Sequence, residues 1–431
     1  MTDAEHGASS WANPRPKLSY KLVVLGSGKA AQALCEEALR YDVEMAWISS
    51  DSGDAEVFSV CTAKGIDCFL GLPSFVGTDC LELDGEALSF GRAILVPSLT
   101  WYLPKISGVV QKNVLTPDCI KDDSTLPEEV TISGSGPSAC ALAQKLTLKG
   151  LKIRVLSGDG EILHGFPVDA ACLIRENLEK AGVEFVLGAE LHSVEFPNDQ
   201  KTTLFVKKEG QEKEYDTAQL ICADTPFLKL PASEIKAADL SLRAQELLID
   251  DHWRTTNPKI YALNHVRLYA QQEEWSLGQV QALLENLFMH RKHRIGEFPV
   301  PLRVPTLPSL FVLGDSGGRG TNADEIKILR QEYHEHADVF SENDEAGFVE
   351  IEVDTQSGHC LSAILVGRHS EELIGQFCFL MQNNRPITHL LDSDYAQPGY
   401  GAVLRSLAYQ LKPQREVWGR VQDLMNRIPG R

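Results

Sequence analysis

No stretch of this 431-residue sequence approaches the ~20 consecutive apolar residues that a membrane-spanning helix needs, which excludes a helical membrane span as its working element. Basic residues are in short supply: 41 Lys and Arg stand against 60 Asp and Glu, a formal charge of −19. That balance excludes nucleic acid or an anionic membrane as the main partner. Cysteine occurs ten times but never as a CxxC pair, and Cys61 and Cys68 are the closest two. The cysteines are scattered, with Cys35, Cys140 and Cys378 inside apolar helical patterns, so they read as reduced core residues of a cytoplasmic protein, with no metal site. Residues 1–18 are polar, contain Pro14 and Pro16, and lack the apolar core of a signal peptide; they read as a flexible tail.

One further absence is local. "KLVVLGSGKAAQALCEEALRYDVEMAWISSD" runs from an apolar strand through Gly26-x-Gly28-x-x-Ala31 into a helix and a second strand. In a dinucleotide-binding unit that second strand ends on an acid that grips a ribose hydroxyl. Here it ends on Ser49 and Ser50, and the first acid is Asp51.

The same pattern then returns. "EEVTISGSGPSACALAQKLTLKGLKIRVLSGDG" repeats strand, Gly134-x-Gly136-x-x-Ala139, helix and strand, 108 positions after the first copy. The chemistry asks for these residues at this spacing. A first glycine turns tightly, a second lets backbone N–H groups reach a pyrophosphate, and a small third residue lets helix meet strand. Two copies point to two Rossmann-like units, although small residues also serve close packing alone. The second strand again ends on a serine, Ser157, with Asp159 two residues beyond.

Between the copies, "CLELDGEALSFGRAILV" alternates as a small antiparallel meander with an Asp84-Gly85 turn. Beyond the second copy come a helix and strands, a hairpin leading to "LICAD", the short strand "NPKIYAL" and the amphipathic helix "LGQVQALLENLFMH". "FVEIEVDTQSGHCLSAILVG" then reads as an antiparallel pair followed by the helix "SEELIGQFCFLMQN", a separate α+β domain. "QREVWGRVQDLMNRI" places Val417, Trp418, Val421 and Met425 on one face of a docked C-terminal helix.

In this order, from Leu18 to about Leu411, the residues resemble the pyridine nucleotide-disulfide oxidoreductases, the flavoprotein disulfide reductases. Gly367 and Glu372 match the opening of that family's dimerisation domain, and Thr255, Pro258, Tyr261 and Ala262 match the approach to its second flavin contact. The resemblance implies an α/β fold with two three-layer Rossmann-like domains, an FAD type split around an NAD(P) type, and a C-terminal α+β dimerisation domain. The implied boundaries are 1–18 for the tail, 19–125 with 245–297 for the FAD-type domain, and 126–244 for the NAD(P)-type domain. Residues 298–412 form the dimerisation domain and 413–431 the last helix. FAD and NAD(P) are the implied cofactors, and a homodimer the implied assembly.

The chemistry departs from the family. The redox CxxxxC helix looks deleted, because the chain passes from Asp51 through "SGDAEVFSVCTAKGIDCFLG" towards the meander, and Ala141 stands where a glutamate near the flavin belongs. "YAQPGYGAV" puts Gln397 and Ala402 at the positions of the family's His and Glu acid–base dyad. Glutamine does not titrate near neutral pH and alanine orients nothing. Val96, Pro97, Ser98, Asn264 and His265 replace flavin-contact residues, and Asp224 and Thr225 replace a Gly-Arg pair in the nucleotide domain. The expectation is therefore a non-catalytic or regulatory descendant without catalytic residues, with FAD weakly held or lost; the alternative is an FAD-dependent NAD(P)H oxidoreductase that passes electrons to a small acceptor without a disulfide. Any nucleotide would sit on Gly26, Gly28 and Ala31 with Asp51 and His265, or on Gly134, Gly136 and Ala139 with Asp159.

Three other motifs take plainer readings. "GDSGG" (Gly314 to Gly318) matches a serine-protease nucleophile loop but has no supporting partner motif and reads as a loop. His334 and His336 point apart on a helix and read as a solvated face. "MHRKHRIG" reads as a basic helix C-terminus followed by a linker.

Overall fold

The computed structural model describes residues 11–96, 99–101, 103–109, 113–120, 123–198, 201–224, 226–228, 232–243, 246–263, 265–267, 272–314, 325–336, 346–395 and 399–411. The chain forms two compact units: Met1–Pro104 with Thr225–Phe298, and Lys105–Asp224 with Pro299–Arg431.

The first unit is built on β1 (Ser19–Gly26), α1 (Gly28–Ala38), β2 (Met45–Ser49), α2 (Ala55–Ala63), β3 (Asp67–Leu70), β4 (Ser74–Gly77), β5 (Cys80–Leu83) and β6 (Glu86–Val96). Its seven-stranded sheet runs β3-β2-β1-β6-β5-β4, and strand Ile260–Ala262 also pairs with β6. Strands β1, β2 and β3 are parallel, as is the β1–β6 pair. Both faces are covered, which is why these strands read as near-continuous apolar runs. On β1, Leu22 and Val24 enter one core with α1, α2 and helix Leu277–Phe288, while Val23 and Leu25 enter the opposite core.

The meander forms as expected: β4, β5 and β6 are antiparallel, and β6 continues as the parallel neighbour of β1. One expectation changes: where the sequence suggested a deleted helix after β2, the nine-residue α2 crosses over to a third parallel strand, β3. Its Phe58 and Cys61 are fully buried, so packing supports a helix in this stretch.

The second unit holds β7 (Glu129–Ser133), α3 (Pro137–Leu148), β8 (Lys152–Ser157) and α4 (Val168–Ala181). Its parallel sheet orders Glu184–Leu187, β8, β7, Gln219–Cys222 and Val114–Leu115. A three-stranded antiparallel layer, Ala189–Asn198, Lys201–Lys208 and Gln211–Thr217, accompanies it. The C-terminal part is a five-stranded antiparallel sheet in which Phe348–Asp354 and Cys360–Gly367 are central neighbours, backed by helix Ser370–Gln382. The two parts are tied by Gln144 of α3. Its side-chain amide donates to the Leu307 carbonyl at 2.6 Å and its carbonyl accepts from the Leu307 N–H at 2.6 Å. The expected helix over 413–431, the "GDSGG" residues 315–318 and Gln397 lie outside the described residues. His334 is exposed on a short 3-10 turn.

Candidate functional site: two glycine turns

Each glycine turn joins a strand to the start of a helix, as the spacing predicts. At Gly26 the backbone has φ +151°, and an added methyl would run into the Val96 carbonyl and lie 2.7 Å from Val96 Cβ. Only glycine lets β1 pass β6 there. Gly134 is the counterpart, with φ +127° and an added methyl 2.8 Å from the Asp224 carboxylate and 3.0 Å from the Ala223 carbonyl carbon. Ala31 and Ala139 are fully buried on the strand-facing side of their helices.

The serines that replace the ribose acids have a structural role, and it is the same in both units. Ser49 Oγ lies 2.9 Å from Ser27 Oγ and accepts from the Asp51 N–H at 3.1 Å. Ser157 Oγ donates to Ser135 Oγ at 2.9 Å and accepts from the Asp159 N–H at 3.1 Å. In each unit a buried hydroxyl at the strand end is thus clasped to the serine between the two turn glycines. The expected ribose acids are engaged locally. The exposed Asp51 carboxylate accepts from the Gly53 N–H at 2.9 Å, and that of Asp159 accepts from Ser135 Oγ at 3.2 Å.

Two carboxylates, each paired with a serine, complete the turns in ways the motif spacing did not indicate. Asp54 accepts from the Gly28 N–H with both oxygens, at 3.0 and 3.2 Å, and from Ser49 Oγ at 2.6 Å. In the second unit, Asp224 accepts from Ser133 Oγ at 2.6 Å. Although Asp224 lies at an exposed position, the atoms around its carboxyl desolvate it and raise its pKa; Asp159 adds to the rise and the Ser133 bond opposes it. In α3 the first residue is Pro137 and the N-cap is Gly136, which has no side chain to cap with. The sequence signal for Asp54 was slight: one more acid, five residues beyond a strand end.

The cysteines around the crossover are brought together despite their spacing of seven. Cys61 on α2 and Cys68 on β3 enter the same core, both fully buried and unbridged, and the Cys68 thiol donates to the Ile66 carbonyl at 3.6 Å. Burial raises the Cys61 thiol and pushes Cys68 up to about 12, so neither is a thiolate near neutral pH. Ala402 sits in helix Gly401–Tyr409 with nothing to offer a proton. The backbone of His265 lies in strand His265–Arg267; its side chain, like all of Asn264, is outside the described residues. Among the described residues no cluster of three His, Cys, Asp or Glu could hold a metal, and no helix is long and apolar enough to cross a membrane.

Comparison with known proteins agrees with this architecture. The chain is 27% identical over 253 residues to a mercuric reductase of Lysinibacillus sphaericus, a match covering 58% of this chain and 45% of that protein. It is 22% identical over 358 residues to a dihydrolipoyl dehydrogenase of Haloferax volcanii, covering 79% and 74%. The chain thus spans about half the length of the mercuric reductase. The fold matches the HOCl-induced flavoprotein disulfide reductase RclA from Escherichia coli with a TM-score of 0.74 at 18% identity, over 91% of this chain and 100% of that one. The family model described as pyridine nucleotide-disulphide oxidoreductase matches residues 54–282, more than half of the sequence, and on this ground the chain belongs to that family.

Proposed function

We propose that this chain is a member of its family that has lost thiol–disulfide chemistry and acts as a non-catalytic, regulatory scaffold with residual capacity for nucleotide. The observation that carries the reading is the state of Cys61 and Cys68, buried, unbridged and held as neutral thiols. A disulfide reductase needs an accessible thiolate to attack and a titrating partner to supply the proton. Ala402 at one dyad position and Gln397 at the other supply neither. We place the protein in the cytoplasm, on its unbridged cysteines, and as a homodimer through residues 298–412.

The test is turnover with lipoamide, glutathione disulfide or mercuric ion, in the presence of NADH or NADPH. No turnover is expected. Activity that disappears in Cys61→Ser would overturn the reading. A second reading, an FAD-dependent NAD(P)H oxidoreductase that passes electrons to a small acceptor without a disulfide, draws on one observation: Gly26 and Gly134 keep their close-approach geometry. Visible flavin absorbance in the purified protein, with steady NAD(P)H oxidation unaffected by Cys61→Ser, would favour it.

A further inference from the structure

We propose that Asp54 is an internal anion, seated at the first glycine turn, that keeps dinucleotide phosphate out of this unit. The inference deepens the reading above, in which the first unit holds flavin weakly or not at all, and it makes a separate claim about why.

Asp54 stands at the N-cap of α2, where an aspartate normally accepts from the N–H groups of its own helix. It makes no such bond. Its carboxylate is spent instead on another helix: both oxygens take the Gly28 N–H that opens α1, at 3.0 and 3.2 Å. The N-terminus of α1 has no cap of its own. Ser27, its N-cap residue, makes no capping bond and turns its hydroxyl to Ser49, and the first turn of α1 contains no acid. Asp54 is therefore the charge that α1 receives at its positive end, supplied from the next crossover.

The seat is built rather than incidental. Ser49 is fully buried at the end of β2 and donates to Asp54 at 2.6 Å. Ser49 also accepts from the Asp51 N–H, and Asp51 in turn accepts from the Gly53 N–H, which fixes the short loop that carries Asp54. The serine that replaced the ribose acid and the segment that replaced the redox helix thus work as one device. A phosphate oxygen bound to the Gly28 N–H would need the place where the Asp54 oxygens now lie, and would meet a like charge there. The two occupants exclude each other, so the residues present do not fit a dinucleotide phosphate at this turn.

The test compares wild type with Asp54→Ala, Asp54→Asn and Asp54→Glu, using inorganic pyrophosphate and FAD as probes in calorimetry and thermal denaturation. Asp54→Ala is expected to bind pyrophosphate at least about tenfold more tightly than wild type, and Asp54→Glu no more tightly than wild type. Pyrophosphate is also expected to raise the melting temperature of Asp54→Ala and leave that of wild type unchanged. Should Asp54→Ala not fold, the isosteric Asp54→Asn, which keeps the Ser49 contact without the charge, carries the same comparison. Equal affinity in wild type and the neutral variants, whether both bind or neither does, overturns the proposal. Flavin in purified wild type would refute the weak-flavin reading of the first unit. A tenfold gain in the variants would still stand on its own, so the two failures are distinguishable.

Discussion

Replacing Gly26 by alanine separates the structural role of the first glycine from any role in holding a ligand. The new methyl would meet the backbone and side chain of Val96 on β6, with Val96 Cβ at 2.7 Å, and the residue would have to keep φ +151°. Forcing a side chain into a packed contact costs about 1–3 kcal/mol, and holding an L-residue in a sparsely populated conformation a similar amount, together about 2–6 kcal/mol. Gly28→Ala is the internal control. Its φ is +79°, but no atom lies within 4 Å of the added methyl, so only strain of about 1–2 kcal/mol applies. Urea denaturation followed by tryptophan fluorescence reads the difference, because five of the six tryptophans (Trp11, Trp47, Trp101, Trp253 and Trp275) belong to this unit. The indole N–H of Trp47 donates to the Gly26 carbonyl itself at 2.9 Å. A midpoint lowered by on the order of 1 M urea is expected for Gly26→Ala, and clearly less for Gly28→Ala. Equal shifts in the two variants would refute the close-approach argument.

Further outcomes follow from the same geometry. Any NADH or NADPH binding is expected on the second turn, and Gly136→Asp, which adds bulk and negative charge at the N-cap of α3, should weaken it at least about tenfold in a fluorescence titration. Binding that survives the change would place the nucleotide elsewhere. Light scattering at micromolar concentration should give twice the chain mass, and a monomer would remove the dimer proposal. His293 lies between Glu297 at 3.1 Å and Glu285 at 2.9 Å, and those carboxylates raise its pKa above 6.5. A raised folded-state pKa gives stability that is fully present below the unfolded value and is lost as pH rises through the folded one. His293→Gln should flatten the fall in stability as pH rises above about 6.5, an effect held below about 1 kcal/mol by solvent screening. An unchanged pH profile would show that the bridge contributes nothing.

Much of the fold was legible in the sequence because periodicity and turn residues agreed. The two glycine patterns opened helices where their spacing put them, and Asp84 and Gly85, both at positive φ, made the hairpin turn between β5 and β6. Helix α2 was not legible, since its apolar residues are spread around the helix with no clear stripe, and only Phe58 and Cys61 are fully buried. The site was harder still. A sequence shows that Ser49 and Ser157 are not acids, but not that each reaches a serine twenty-two residues back, nor that Asp54 folds over Gly28. Such bonds depend on where a crossover returns, which no local pattern encodes. Cys61 and Cys68 illustrate the same limit: they are the closest two cysteines in the sequence, yet only the return of the crossover puts both into one core.

The Gln144 amide gives the second unit a mechanical property. Its paired bonds to Leu307 hold the middle of α3 to the chain segment that leads into strand Ser309–Gly314. The N-terminal end of the same helix is the second glycine turn. Breaking that clasp leaves two backbone groups and a nearly buried amide without partners, each costing about 1–3 kcal/mol. Sliding α3 alone would break this pair of bonds, so a displacement of the helix must either carry the Leu307 segment with it or lose them.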